Sequence, residues 1–122
     1  MPVTTFFIKA MRDGIADAMR EDPTVVLFGE DADRSVIGST RGLSDEFGSH
    51  RVWNMPLSEA TMVGAAVGAA ASGLRPVVDL MVSSFFYIAM DQLANQAAKL
   101  RYMSGGQVQL PIVYFAATGG SG

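Results

Sequence analysis

Apolar positions recur at two different periods along this chain. Over residues 4–22, Phe7, Met11, Ile15, Ala18 and Met19 fall at helical spacing, with Lys9, Arg12, Asp13, Asp17 and Arg20 mostly off the stripe. That spacing predicts an amphipathic helix. It should end at Glu21-Asp22-Pro23, because the residue before a proline is pushed out of the helical region. "TVVLFG", 24–29, is instead a continuous apolar run rich in β-branched residues, the pattern of a strand buried on both faces. "EDADRSVIGSTRG" is a polar loop with two glycines. "LSDEFG", 43–48, predicts a short helix closed by Gly48, and "RVWN", 51–54, a short strand.

The second half repeats the alternation. Ser58 is placed to N-cap a helix over 59–72, with Gly73 as its stop. "RPVVDLMV", 75–82, predicts a strand. A helix is expected over 86–103, with Ala89, Leu93, Ala97 and Leu100 on its apolar face and Gln92, Gln96 and Lys99 on another. "SGG" at 104–106 breaks it, and "LPIVYFAA", 110–117, predicts a last strand. Helices alternating with apolar strands imply an α/β fold, a parallel sheet flanked by helices.

The segment behind Glu59 changes this picture. From Glu59 to Leu74 the chain carries a single charge, at its front. An ordinary explanation is that a carboxylate in the first helical turn suits the positive end of the helix dipole. The rest of the helix has almost no polar face, so it is expected to be buried all round. Gly64 and Gly68, continued by Ala60 and Ser72, form a row of small residues against which another helix backbone could pack. Desolvated carboxyls favour their protonated form, which makes them proton-relay candidates.

Composition narrows the possibilities. The chain has 122 residues, enough for one domain, and 49% apolar against 17% charged residues excludes a disordered chain. A net charge of −3 and no basic cluster argue against nucleic acid. Without cysteine there is neither a disulfide nor a thiolate-bound metal. The start, "MPVTTFFIKAMRDG", lacks the basic-then-apolar order of a signal peptide, so a cytoplasmic location is expected. The apolar run of about 15 residues falls short of the roughly 20 a membrane span needs. Neither G-x-G-x-x-G nor G-x-x-x-x-G-K-[ST] follows a strand, which weighs against a generic nucleotide binder. Asp31 and Asp33 could pair on a metal, but solvated loop acids are the simpler reading, and His50 is assigned no catalytic role.

Four motifs, "VVLFGED", "MPLSEATMVGAAVGAAASGLRPVVDL", "AMDQLANQAAKLRYMSGGQ" and "LPIVYF", together resemble the β subunit of thiamine-diphosphate-dependent 2-oxo acid dehydrogenases of the pyruvate, branched-chain and acetoin type. The resemblance runs through almost the whole chain and matches the N-terminal, transketolase-like pyrimidine-binding domain. It implies that residues 1–122 are that domain, cut short at its C-terminal end. It also implies that Glu59, in the family's P-[LI]-S-E motif, hydrogen-bonds the 1′ nitrogen of the cofactor's aminopyrimidine and favours the imino tautomer that deprotonates the thiazolium. Leu57 and Met81 would line the same pocket and Phe85 would stack on the pyrimidine. Phe86, Tyr87 and Gln92 are weaker candidates, and Asp91 and Lys99 are read as surface charges.

By the same resemblance, magnesium and the diphosphate belong to a partner α-type subunit. The Gly-Asp-Gly motif that holds them is missing here, so no metal ligand is assigned to this chain. A lipoyl-bearing acyltransferase is the further implied partner. The chain departs from the family pattern in stopping at Gly122, before the family's active-site histidine, in carrying Tyr114 and Phe115 where an arginine is common, in Ala117 for a usual proline, and in its loose match over "DADRSVIGSTRGL". The isolated chain is therefore expected to be inactive and to form a homo-oligomer or pair with an α-type subunit. The alternative is a non-catalytic oligomerising α/β module derived from that subunit.

Overall fold

A computed structural model describes residues 5–119. The elements are α1 (Phe7–Glu21), β1 (Val25–Glu30), α2 (Leu43–Phe47), β2 (Val52–Met55), α3 (Glu59–Ala71), β3 (Arg75–Val82), a 3₁₀ turn (Ser83–Tyr87), a π-helical turn (Gln92–Ala97), α4 (Leu100–Met103) and β4 (Val113–Ala117). All strand pairs are parallel, in the order β2-β1-β3-β4. The sheet and flanking helices are those the alternating pattern predicted. Thr4, at the expected start of α1, and most of the closing "TGGSG" lie outside the described residues. Among the described residues no helix is long and apolar enough to cross a membrane.

β1 is central, and its period-two alternation feeds two cores. Val26 and Phe28 pack with Met62, Val63, Ala66, Val78, Leu80 and Ala89 on the α3 side. Val25 and Leu27 pack with Ala16, Met19, Leu43 and Val52 on the α1–α2 side. Strand burial on both faces explains why 24–29 has no polar alternation. Arg51 ties the lower edge together: its guanidinium donates to the carbonyls of Val25 and Asp22 and lies 5.2 Å from the Phe47 ring centroid. Arg20 links α1 to α2 through Glu46, at 2.6 and 2.9 Å.

Four expectations need correction. In α1 the buried residues are Ala16 and Met19, whereas Phe7 and Ala18 are exposed; the sheet covers only the C-terminal half of the helix. α3 is not buried all round: Met62, Val63, Ala66, Val67 and Ala70 face the core, while Thr61, Ala65, Gly68 and Ala71 are exposed, because a sheet covers one side of a helix. The single helix over 86–103 is instead a 3₁₀ turn, a π turn and one short α turn. Asp91 accepts from the side chains of both Asn95 and Gln96, at i+4 and i+5, and Ala98 N–H reaches Leu93 O, which together favour the wider turn. β4 starts at Val113 rather than 110, since Pro111 has no N–H to give a ladder.

The end of α3 follows its sequence signal closely. Gly73 has φ +100°, its N–H reaches Ala70 O and the Leu74 N–H reaches Ala69 O, each at 3.0 Å. This is the Schellman arrangement, which needs a left-handed residue. Gly73→Ala should cost about 1–2 kcal/mol, because a Cβ crowds the following carbonyl in that conformation. Urea unfolding of the two proteins checks it, and an unchanged midpoint would show that the turn relaxes.

Candidate active site

In an open parallel sheet, ligands bind outside the carboxyl ends of the strands, where successive connections leave to opposite faces. Here that switch point lies between β1 and β3. The chain after β1 leads to α2, whose Leu43 packs on the α1 side, and the chain after β3 leads to Phe86 and Ala89 on the α3 side. All four sequence-predicted site residues lie along this edge. Leu57 and Glu59 follow β2, Met81 is the penultimate residue of β3, and Phe85 sits in the 3₁₀ turn directly after it.

Glu59 opens α3 and is only 7% exposed. Its carboxyl group has no hydrogen-bond or ion-pair partner among the described residues, although buried charged groups are ordinarily paired. Its place in the first turn of α3 sets it in the favourable field of the helix dipole. Ser58 occupies the N-cap position but does not cap: its hydroxyl donates to Thr61 Oγ1 at 2.8 Å. That leaves the first-turn amides without a side-chain acceptor beside the glutamate.

The other three are less gathered than the motif implies. Leu57 is 71% exposed, so little of its side chain is covered among the described residues. A wall there needs a surface from another chain or segment to close on it. Phe85 is half-buried, as is Phe86, which packs onto the α3-side core; Tyr87 is exposed. Met81 lines a cavity of about 220 Å³ with Ile8 and Met11 of α1, Ile37 and Ser39 of the loop, Asp79, and Phe115 of β4. Glu59 is not among its walls, so the structure places these two residues on one edge without bringing them into one cavity. Gln92 lies across α3, its Cγ 3.6 Å from where a Cβ on Gly64 would stand. Asp91 and Lys99 are exposed, with Asn95 bridging them by side-chain hydrogen bonds. Asp33 and His50 are exposed, and among the described residues no group of three potential ligands could hold a metal.

Sequence reasoning passed over Asp79. It pairs in register with Gly29 at the switch point and is buried. Gly29 leaves it room: a Cβ there would stand 3.2 Å from the Asp79 Cβ and 3.3 Å from that of Ala32. Met81 N–H donates to Asp79 Oδ1 and the Ser39 hydroxyl to Oδ2, both at 2.8 Å. The signal was a lone charge within the apolar run "RPVVDLMV". Burial pushes the Asp79 carboxyl above its usual 3.8, outweighing the two hydrogen bonds that pull it down. The folded state then holds its proton to higher pH than the unfolded chain does. Its contribution to stability is present below the ordinary carboxylate range and is lost as pH rises through the raised folded value. Asp79→Asn, whose amide oxygen can still accept the Met81 N–H while its NH2 donates to the Ser39 hydroxyl, should flatten that loss; urea midpoints across pH 4–8 check it, and parallel curves would contradict it. Tyr114 also carries a buried polar atom. Its hydroxyl has no partner among the described residues, and burial pushes it up to about 12.

The sequence of residues 5–122 matches the family described as transketolase, pyrimidine binding domain. The chain belongs to this family. The match covers all the described elements, including the carboxyl edge that carries Glu59. Among curated relatives, the chain is similar to the acetoin:2,6-dichlorophenolindophenol oxidoreductase subunit beta of Bacillus subtilis (strain 168), 44% identical over 117 residues. That match covers 84% of this chain and 34% of the relative. The pyruvate dehydrogenase E1 component subunit beta of Rhizobium meliloti (strain 1021) is 42% identical, over 91% of this chain and 25% of the relative. The mitochondrial pyruvate dehydrogenase E1 component subunit beta-2 of Oryza sativa subsp. japonica is 41% identical, over 91% of this chain and 30% of the relative. The chain thus spans about a third or less of the length of these relatives, and the resemblance to dehydrogenase β subunits seen in the motifs holds across bacterial and plant members.

Proposed function

We propose that this transketolase-type domain supplies the pyrimidine half of a thiamine diphosphate site in a 2-oxo acid dehydrogenase, acting with an α-type subunit. One observation carries the reading: a glutamate more than nine-tenths buried, at the carboxyl edge of the sheet, with no partner among the described residues. An orphaned carboxyl group in that position fits a heteroaromatic ring nitrogen as its partner. Bound thiamine diphosphate would supply the electron sink for decarboxylating a 2-oxo acid. Glu59 would hold a proton between its carboxyl oxygen and the ring nitrogen. Leu57 and Phe85 would bound the ring once the partner closes the exposed side, and Met81 would add a wall from β3.

The rest follows from the family's β subunits. Magnesium and the diphosphate are assigned to the α-type partner, and the acyl group would pass to a lipoyl-bearing acyltransferase. A cytoplasmic location belongs to this reading. A second reading, a non-catalytic oligomerising module, is favoured by one specific feature: the bare small-residue side of α3 together with exposed Phe6, Phe7, Tyr87, Ile88 and Tyr102.

Molar mass in solution, alone and mixed with the α-type subunit of a related dehydrogenase, separates the two readings. A heterocomplex that takes up thiamine diphosphate and magnesium in calorimetry is expected. A homo-oligomer indifferent to both partner and cofactor would favour the module.

A further inference from the structure

Met81 is one of three non-glycine residues with positive φ, at +57°, among the described residues. For an ordinary side chain that conformation costs on the order of 1–3 kcal/mol, so something must hold it. The strand is irregular at the same place: the pairing with β4 shifts between Asp79 and Val82. Such bulges re-aim a side chain, and they cluster near functional sites.

Two hydrogen bonds to one side chain hold the turn. Asp79 Oδ1 accepts the Met81 N–H at 2.8 Å, closing a short side-chain-to-backbone loop two residues long. Asp79 Oδ2 accepts the Ser39 hydroxyl at 2.8 Å, which fixes the carboxylate from the loop after β1. Gly29 across the strand pair lets Asp79 sit this close. Asp79, Ser39 and Met81 line one cavity, and all three lie at the switch point between β1 and β3. A residue buried at such a cost in the middle of a strand, and spent on the backbone of the next-but-one residue, is doing more than filling space.

We infer that Asp79 is a positioning residue for the cofactor wall: its carboxylate, braced by Ser39, locks the left-handed turn that sets where Met81 stands on the carboxyl edge. This rests on the reading of Met81 as a wall of the pyrimidine site. The lock also links the loop 31–42 to that wall, so changes in the loop would be felt at the site through Ser39 and Asp79.

The test is a double-mutant cycle on thiamine diphosphate affinity, measured by calorimetry on the chain assembled with an α-type subunit. The variants are D79A, M81A and D79A/M81A, with D79N as the conservative control. D79A should weaken binding about tenfold, and the effect should vanish in the M81A background, since coupled neighbours are non-additive. D79N, which keeps an acceptor for the Met81 N–H, should stay within about threefold of the parent. In the unliganded assembly, hydrogen exchange at the Met81 amide should quicken in D79A and not in D79N. If D79A fails to assemble, the D79N and S39A/D79N pair carries the same exchange readout, with faster exchange expected only where the brace is lost. Additive effects with a sensitive M81A, or an unchanged Met81 amide, overturn the positioning role alone. An M81A variant with parental affinity overturns the wall reading, and the positioning role with it.

Discussion

Glu59→Gln is expected to lower turnover of the assembled enzyme about 10²- to 10⁴-fold, the range over which a positioned acid–base group contributes. Glutamine has nearly the same shape and can still hydrogen-bond a ring nitrogen, so cofactor binding should change far less than rate. It cannot hold an exchangeable proton there. The accompanying stability result is as informative. The residue is more than nine-tenths buried and its carboxyl group has no hydrogen-bond or ion-pair partner among the described residues, so a neutral amide of the same shape breaks no such bond. What it gives up is the interaction with the helix dipole, about 0.3–1 kcal/mol. The variant should therefore lose no more than about 1 kcal/mol, with a urea midpoint close to the parent's. Lost activity with kept stability marks a group kept for function and not for the fold. Kept activity with a clear stability loss would reduce Glu59 to a helix-start residue, which is the ordinary explanation of a lone first-turn carboxylate.

Phe28→Ala should be the most destabilising single change. The side chain is fully buried on the central strand, stacks on Trp53 of β2 with ring centroids 4.6 Å apart and planes 14° apart, and packs against Met62, Val63 and Val78. Truncating such a residue typically costs about 3–5 kcal/mol, from lost transfer energy and from the cavity left behind. A domain of this size commonly has about 5–15 kcal/mol in total, so much of its stability would go. On that scale the thermal midpoint should fall by roughly 10–25 °C. Both cores share β1, and no small rearrangement refills a hole at the centre of the sheet. A loss below about 1 kcal/mol would mean that Trp53 and Met62 collapse into the space, and that β1 is not the rigid spine of the site edge.

The edge itself connects these two results. Phe28 and Gly29 are consecutive: one anchors β1 in the α3-side core, and the other opens the close approach on which Asp79 depends. Destabilising the strand would disturb the switch point, whereas changing Glu59 alone would leave it intact. Comparing cofactor affinity in the two variants separates damage to the frame from damage to the chemistry.

Much of the architecture is legible in the sequence, because it rests on local patterns. The apolar run "TVVLFG" announced a central strand, "RPVVDLMV" matched β3 from end to end, and Gly73 marked the end of α3. These signals are carried by backbone preferences and burial period, which neighbours in sequence already encode. Glu59 was legible as well, as the single charge at the mouth of an apolar helix. Its lack of a partner was not, since that depends on every element packed around it. The same limit hid Asp79: a charge within a strand reads as a blemish until Gly29, Ser39 and Met81, from 50 residues before to two after, meet it in space. The irregular turns after β3 and the bare side of α3 escaped for a related reason. Periodicity says that a face is apolar, but only packing decides whether anything covers it.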